Sequence, residues 1–344
     1  MTITDEQIDK KIETMQRRAP WLRLGKAVSA TSAADVITEA GLDWRVSLHS
    51  LRAMHYDDID PELTDFTPVS NKMGVVRTNT DGSKISLGVV GNKYKVLQNQ
   101  EVFTSLDTLI DSGEARYCAA GEINDGTRVW MLMEIPKDIS IADDKHCGYL
   151  MATTGHDGSQ SFVVKPLILR MQCINQINLS MFDGRKKNEY TYTLRHTLNT
   201  KLSVSEMSAL LNLSYQTIDQ YSNFANRAVK TQVMKDTVDK FFKRVWPLPS
   251  HIEGLKYSEL TDRGERRAWT FAHDNRNKAM DIYESSDTQD NIRHTAYGAY
   301  QAVVEVADYY SAGGSSRLAL RAMTGQSDRI KNKAFNLTSA LIAA

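Results

Sequence analysis

Cysteine is scarce in this 344-residue sequence, and the three present, Cys118, Cys147 and Cys173, are scattered. That excludes a disulfide framework and argues for reduced thiols in a cytosolic protein; with no CxxC pair, a structural zinc site is not expected either. No apolar run approaches the roughly 20 residues that a bilayer span requires. Met1-Thr2-Ile3-Thr4-Asp5-Glu6 lacks a basic stretch followed by an apolar one, so no signal peptide is predicted. Net charge is also missing: 42 basic residues balance 42 acidic ones, which removes a strongly basic chain as the argument for a nucleic-acid partner.

The usual catalytic signatures are absent as well. There is no HExxH, no GxSxG, and no histidine pair at i,i+4. Gly88-Val89-Val90-Gly91-Asn92-Lys93 is too short for a phosphate loop and runs into Tyr94 rather than Ser or Thr, so it reads as a hairpin turn. His146 and Cys147 are adjacent on a predicted strand, which sends them to opposite faces and disfavours a shared metal with His156. The acids Asp57, Asp58, Asp60 and Glu62 read as a surface loop. No metal, no cofactor and no covalent catalysis are expected.

What is present is the composition of a folded protein, 41% hydrophobic and 24% charged, with length for one large domain or two ordinary ones. Three segments stand out: a mixed N-terminal part over 1–83, a β-rich core over 84–202, and a helical region over 203–344. In the first, Thr4-Asp5-Glu6 opens a predicted helix towards Arg18. Ser32 to Ala40 forms a short helix stopped by Gly41, and Leu42 to Val46 alternates like a strand. Asp57 to Pro68, with five acids and two prolines, is expected to be a loop.

In the second segment, Ile85 to Leu97 is strand-like and turns at Gly91-Asn92. Gln98-Asn99 caps a helix whose stripe is Val102, Phe103, Leu106, Leu109 and Ile110, ended by Gly113. Arg116 to Ile123 and Thr127 to Ile135 form a hairpin over Asn124-Asp125-Gly126. Tyr149 to Thr154 and Ser161 to Val164 form another, with Pro166 breaking the strand; Leu167 to Phe182 begins as strand and ends as helix. In the third segment, Ser203-Val204-Ser205-Glu206 fits a capping box. The chain then runs without Gly or Pro to Val245, and Trp246-Pro247-Leu248-Pro249 stops it. Helices follow over Thr261 to Glu284, Asp290 to Tyr310, and Arg329 to the end. The fold class is therefore α+β: a central antiparallel β-sheet with hairpins and a packed helix, followed by a helical C-terminal third.

The zero net charge hides a segregation of signs. Glu101 to Asp144 carries ten acids against Arg116, Arg128 and Lys137, whereas Val163 to Leu202 carries seven bases against Asp183 and Glu189. Those bases are Lys165, Arg170, Arg185, Lys186, Lys187, Arg195 and Lys201, with Phe182, Tyr190 and Tyr192 among them. Cations that neutralise phosphates beside aromatic faces that stack bases are the means by which single strands are held. A solvated turn with tyrosines packed in a sheet is the plainer alternative. Beyond Gly313-Gly314, Arg317, Arg321, Arg329, Lys331 and Lys333 read as a solvated helical face.

Several short stretches resemble a phage and plasmid protein family of unknown function, domain of unknown function 932. They are Gly41-Leu42-Asp43-Trp44-Arg45-Val46, Leu87 to Tyr94 with Val96-Leu97-Gln98-Asn99, Gly121-Glu122, Arg128-Val129-Trp130, Arg170 to Asn175, Leu194-Arg195-His196-Thr197, Thr295-Ala296-Tyr297 and Tyr300 to Val303. The chain departs from the family pattern at Gln176 and Gln301. The resemblance implies a phage, prophage or plasmid origin, and hence the host cytoplasm. A fainter similarity, to single-strand annealing proteins of the RecT, Redβ and Erf type, rests on an expected strand–strand–helix–strand–strand–strand order over 85–164. It implies a single-stranded-DNA binding and annealing protein acting in recombination or replication, assembled as a ring or filament. Lys93, Lys95, Lys165, Arg170, Arg185, Lys186, Lys187 and Arg195 would then neutralise phosphate. Tyr94, Tyr190 and Tyr192 would stack, with Arg128 and Trp130 contributing from the central hairpin. The competing expectation is a protein-interaction module, such as an inhibitor of a host defence system.

Overall fold

The computed structural model describes residues 25–56, 64–170, 175–178, 192–194, 204–310 and 327–343. Ten strands and eight α-helices are found among them. The large sheet is antiparallel throughout. Its order is β1 (Gly25–Ala27), β5 (Arg116–Ile123), β6 (Arg128–Ile141), β7 (Asp144–Gly155), β8 (Phe162–Arg170) and β10 (Tyr192–Leu194), with β9 (Asn175–Asn178) also paired to β8. A second sheet holds β2 (Arg45–Tyr56), β3 (Thr64–Thr78) and β4 (Lys84–Gly91) in sequence order. The helices are α1 (Ala33–Ala40), the short α2 (Asn99–Phe103) and α3 (Asp107–Asp111), then α4 (Val204–Lys230), α5 (Lys235–Val245), α6 (Arg263–Ser285), α7 (Ala296–Glu305) and α8 (Asp328–Ala343). The protein is α+β, with a C-terminal third that is mostly helical.

Local chemistry explains the clearest elements. Ser32 caps α1 by accepting the Asp35 N–H, and Gly41 ends it in the left-handed conformation at φ 74°. The β5–β6 turn places Asn124 and Asp125 at φ 51° and 56°, which these residue types tolerate better than most. Along β6 the side chains alternate as a pleat requires. Val129, Met131 and Met133 share one core with Ile218, Tyr221 and Tyr297 of the helical region, while Trp130 and Leu132 belong to a second buried cluster with Cys147, Tyr149, Met151, Leu167 and Leu169.

Several expectations need correction. Residues 94–98 form no strand, so β4 pairs backwards with β3, and the order over 85–164 is strand–helix–strand–strand–strand–strand. The 98–113 helix is broken by a 3-10 turn at Thr104–Leu106. Pro166 does not end its strand: it pairs with Leu150 and lies between the residues bonded to β10 and those bonded to β9, an interval where a missing donor is tolerated. Of Leu167 to Phe182, the expected strand start is found in β8 and β9, and the expected helical end, residues 179–182, falls outside the described residues. The β6–β7 hairpin turns at Ala142 and Asp143, at φ 51° and 62°, with no turn signature in the sequence. Thr64 to Pro68 lies in β3 and not in a loop, and Asp290 to Thr295 precedes α7 instead of opening it. The predicted helix before Arg18, the cap at Ser203, and Asp57 to Leu63 fall outside the described residues.

Candidate functional site

The described residues among those expected to bind DNA are spread over several elements, and two of them are buried. Lys93 and Lys95 are exposed after β4. Tyr94 between them is half-buried and donates its hydroxyl to the Gly155 carbonyl at 3.3 Å; burial, then Asp157, pushes its pKa up to about 12. Arg128 is half-buried, with Nη2 3.5 Å from Ser159 Oγ. Lys165 is partly buried on β8, where desolvation lowers its pKa, Asp328 opposes that shift and Lys331 adds to it. Arg185, Lys186, Lys187, Tyr190 and Arg195 lie outside the described residues. Tyr192 is placed only as the β10 partner of Val164.

Two assignments are overturned by burial. Trp130 is fully buried, its ring so close to Gly25 that a Cβ there would fall 2.4 Å from Cζ2. Arg170 is 1% exposed; its Nε donates to the Asp144 carboxylate and its Nη2 to the Thr288 carbonyl at 2.5 Å. Neither side chain can reach a solute in this structure.

Arg170 belongs instead to a buried polar seam between the large sheet and the C-terminal helices. His146 Nε2 stands 2.9 Å from the Tyr297 hydroxyl, which lies 2.5 Å from that of Tyr221, and the Gln301 amide donates to both. Desolvation drives the His146 pKa down to about 3, so the ring is neutral. Thr288 donates to Glu305 at 2.9 Å, and Lys331 pairs with Asp308 at 2.5 Å. Lys331 is thus internal, which corrects the solvated face expected for it. A second joint ties the two sheets. Arg77 stacks over Trp44 at 4.4 Å and donates to Glu122 at 2.7 Å, and Trp44 Nε1 donates to the same carboxylate at 2.9 Å. The family-like positions Trp44, Glu122, Arg170 and Tyr297 therefore build the fold, together with Gln301, where the chain departs from the family pattern.

Among the described residues, an arrangement suited to an anionic ligand lies on α6. Asp262 caps this helix by accepting the Glu265 N–H at 2.9 Å. Ala272, Asn275, Ala279, Ile282 and Tyr283 recur at helical spacing and bury one face. The opposite face lines a groove of about 840 Å³ with Arg263, Arg266, Arg267, Thr270, Phe271, Asp274 and Lys278, joined by Tyr257 and Tyr310. Four cations face one acid there. Tyr257, Phe271 and Tyr310 are exposed, which is unusual for side chains of this size. Arg266 sits over Tyr257 at 5.8 Å and donates to the Leu260 carbonyl at 2.8 Å; Lys278 sits over Tyr310 at 4.3 Å. The aromatic faces thereby position the cations. The signal in the sequence is Arg263-Gly-Glu-Arg-Arg267 ahead of Trp269 and Phe271. It emerges only when these residues are laid on a helix, because the linear charge count around them is unremarkable in sign.

No helix among the described residues is long and apolar enough to cross a membrane. No curated protein and no solved structure matches the chain, and the likeness to single-strand annealing proteins finds no counterpart in these comparisons. The model of the family described as "Domain of unknown function (DUF932)" matches residues 86–335, a span that holds both the polar seam and the α6 groove. The chain belongs to that family.

Proposed function

We propose that this protein binds single-stranded DNA along the α6 groove, without covalent chemistry, as a phage or plasmid accessory of recombination or replication. The observation that carries the reading is the meeting of Arg263, Arg266, Arg267 and Lys278 with exposed Tyr257, Phe271 and Tyr310 in one groove. Cations along a backbone release counterions, and flat rings accept any base at roughly 1–3 kcal/mol each. Sequence-tolerant binding of this kind, with bases held apart, is what bringing complementary strands together requires. Lys93 and Lys95, exposed after β4, would add positive charge for a longer strand.

Fluorescence polarisation with a labelled oligothymidine tests this. Binding is expected at low salt, weakening with a slope of about −0.7 in log K per log salt for each phosphate contacted. R266E/R267E is expected to weaken it at least about tenfold, the equivalent of 1.4 kcal/mol. F271A, which removes a stacking face and no charge, should weaken binding while leaving the salt slope unchanged. A charge-reversed Arg185-Lys186-Lys187 variant measures the share of the other basic stretch. No binding at about 50 mM salt, where screening is weak, overturns the reading.

A second reading, a protein-interaction module, is favoured by the exposed apolar side chains Met54 and Phe66 on the β2–β3 ribbon. Capture from host lysate that survives nuclease treatment would support it over the first.

A further inference from the structure

Among the described residues, Asp274 is the one acid that lines the α6 groove, where it stands with Arg263, Arg266, Arg267 and Lys278. It is exposed and, among those residues, makes no hydrogen bond and no ion pair. A carboxylate beside so many cations ordinarily pairs with one of them. Lys278, one turn further along α6, is the usual i,i+4 partner for an acid, but its Nζ sits 4.3 Å over the Tyr310 ring instead. Arg266 is likewise turned to the Tyr257 ring and the Leu260 carbonyl. The contacts that position these cations leave the Asp274 oxygens open as acceptors.

The place of Asp274 on the helix is central. At 1.5 Å per residue it stands about 10 Å beyond Arg267 along the axis and about 6 Å short of Lys278. Phe271, 47% exposed, is its i,i+3 neighbour, and such positions hold their Cβ atoms about 5–6 Å apart on one helix face. A strand in the groove would lay its phosphates on the cations to either side, because the carboxylate repels a phosphate at the middle. A base stacked on Phe271 would then turn its hydrogen-bonding edge to Asp274. A carboxylate only accepts hydrogen bonds, so it suits an edge that presents an amino group. Cytosine offers its N4 amino group, which Asp and Glu side chains read. Thymine is the same size but offers O4 in that place, and its one edge donor, N3–H, is flanked by two carbonyl oxygens that repel the carboxylate. We propose that Asp274 is a specificity-determining residue. It accepts a hydrogen bond from the N4 amino group of a cytosine stacked on Phe271, so the groove prefers cytosine-bearing single strands to thymine-bearing ones. This rests on the nucleic-acid reading above, and adds a choice of base that stacking and charge alone do not make.

Polarisation with the full chain tests this, comparing labelled oligodeoxycytidine and oligothymidine of equal length at low salt and pH 8, where cytosine N3 is unprotonated. The parent is expected to bind oligodeoxycytidine about fivefold more tightly, the effect of one hydrogen bond of ordinary strength. Asp274→Ala removes the acceptor and the charge from an exposed side chain that holds nothing else in place, so it is expected to fold as the parent does. It should bind the two oligonucleotides with equal affinity, and oligothymidine more tightly than the parent does, because a charge that repels phosphate is gone. A strand of N4,N4-dimethylcytosine keeps the ring and loses both amino hydrogens; the parent is expected to bind it no better than oligothymidine. Equal binding of oligodeoxycytidine and oligothymidine by the parent overturns the proposal and leaves the nucleic-acid reading standing. So does a preference that survives in Asp274→Ala, or a dimethylated strand bound as tightly as oligodeoxycytidine. A parent that binds none of these strands overturns both.

Discussion

Glu305 is buried on α7, where it accepts a hydrogen bond from Thr288 Oγ1. Desolvation raises its pKa, and the Thr288 hydrogen bond together with Arg170 and Lys278 only partly opposes this. A carboxyl group whose folded pKa lies above its unfolded value holds a proton more tightly in the native state. Its ionised form therefore costs stability above the folded pKa, and the cost disappears as pH falls. Glu305→Gln keeps an acceptor for Thr288 and removes the charge. It is expected to raise Tm at pH 8 and to lose that advantage towards pH 4, as read by thermal melts across pH. His146 acts in the opposite sense. With its pKa near 3 in the fold and the ordinary value near 6.5 unfolded, it withholds a proton that the unfolded chain takes up. Through that window it removes stability as pH falls, by at most about 1.4 kcal/mol per pH unit. The two groups lie in one seam, so the Glu305→Gln comparison isolates one trend from the other.

Among the elements, the β5–β6 hairpin shows how tightly a turn can be specified. Gly126 sits at φ 93°, and a Cβ there would lie 2.7 Å from Trp44 Cζ2 and 2.8 Å from Arg77 Nη1. Gly82 in the β3–β4 turn has a similar φ of 83°, but nothing lies within 4 Å of its would-be Cβ. Gly82→Ala is expected to cost about 1 kcal/mol from backbone strain alone. Gly126→Ala must also displace the stacked Trp44–Arg77 pair and is expected to cost about 2–4 kcal/mol. Urea denaturation of the two variants makes the comparison; equal losses would show that the sheet-to-sheet joint yields freely. This hairpin was legible because Asn-Asp-Gly encodes its own geometry, and α1 was legible from Ser32 and Gly41 for the same reason. The β2–β3 ribbon was not, because strands wetted on both faces show no apolar alternation. Nor was the break between α4 and α5, which contains no Gly or Pro. It is imposed by long-range bonds, Val233 N–H to His294 O at 3.0 Å and Ala296 N–H to Thr231 O at 2.9 Å.

For the molecule as a whole, site legibility failed for a related reason. A linear count finds bases near each other in the chain, whereas Arg170 and Lys331, basic in sequence, are spent inside the fold on Asp144 and Asp308. The ion pairs bind parts of the chain far apart in sequence. Lys331 on α8 reaches Asp308 in the π-helical turn Val306–Tyr310 that extends α7, and Tyr310 of that turn lines the α6 groove. Both partners of the pair are almost fully buried, at 1% and 4% side-chain exposure. Removing one charge strands the other in a medium that cannot solvate it, which costs about 3–5 kcal/mol, whereas replacing both by apolar groups is often close to neutral. Lys331→Met is therefore expected to lower the urea midpoint sharply, and Asp308→Leu combined with it to recover most of the loss. If the double variant is instead as unstable as the single one, the pair contributes through hydrogen bonds that no apolar substitute replaces. The groove reports on the same event: losing the pair should loosen the π-helical turn, so Lys331→Met near its folding midpoint is expected to bind the oligothymidine less tightly. The double variant, folded and apolar at this joint, should bind it as the parent does.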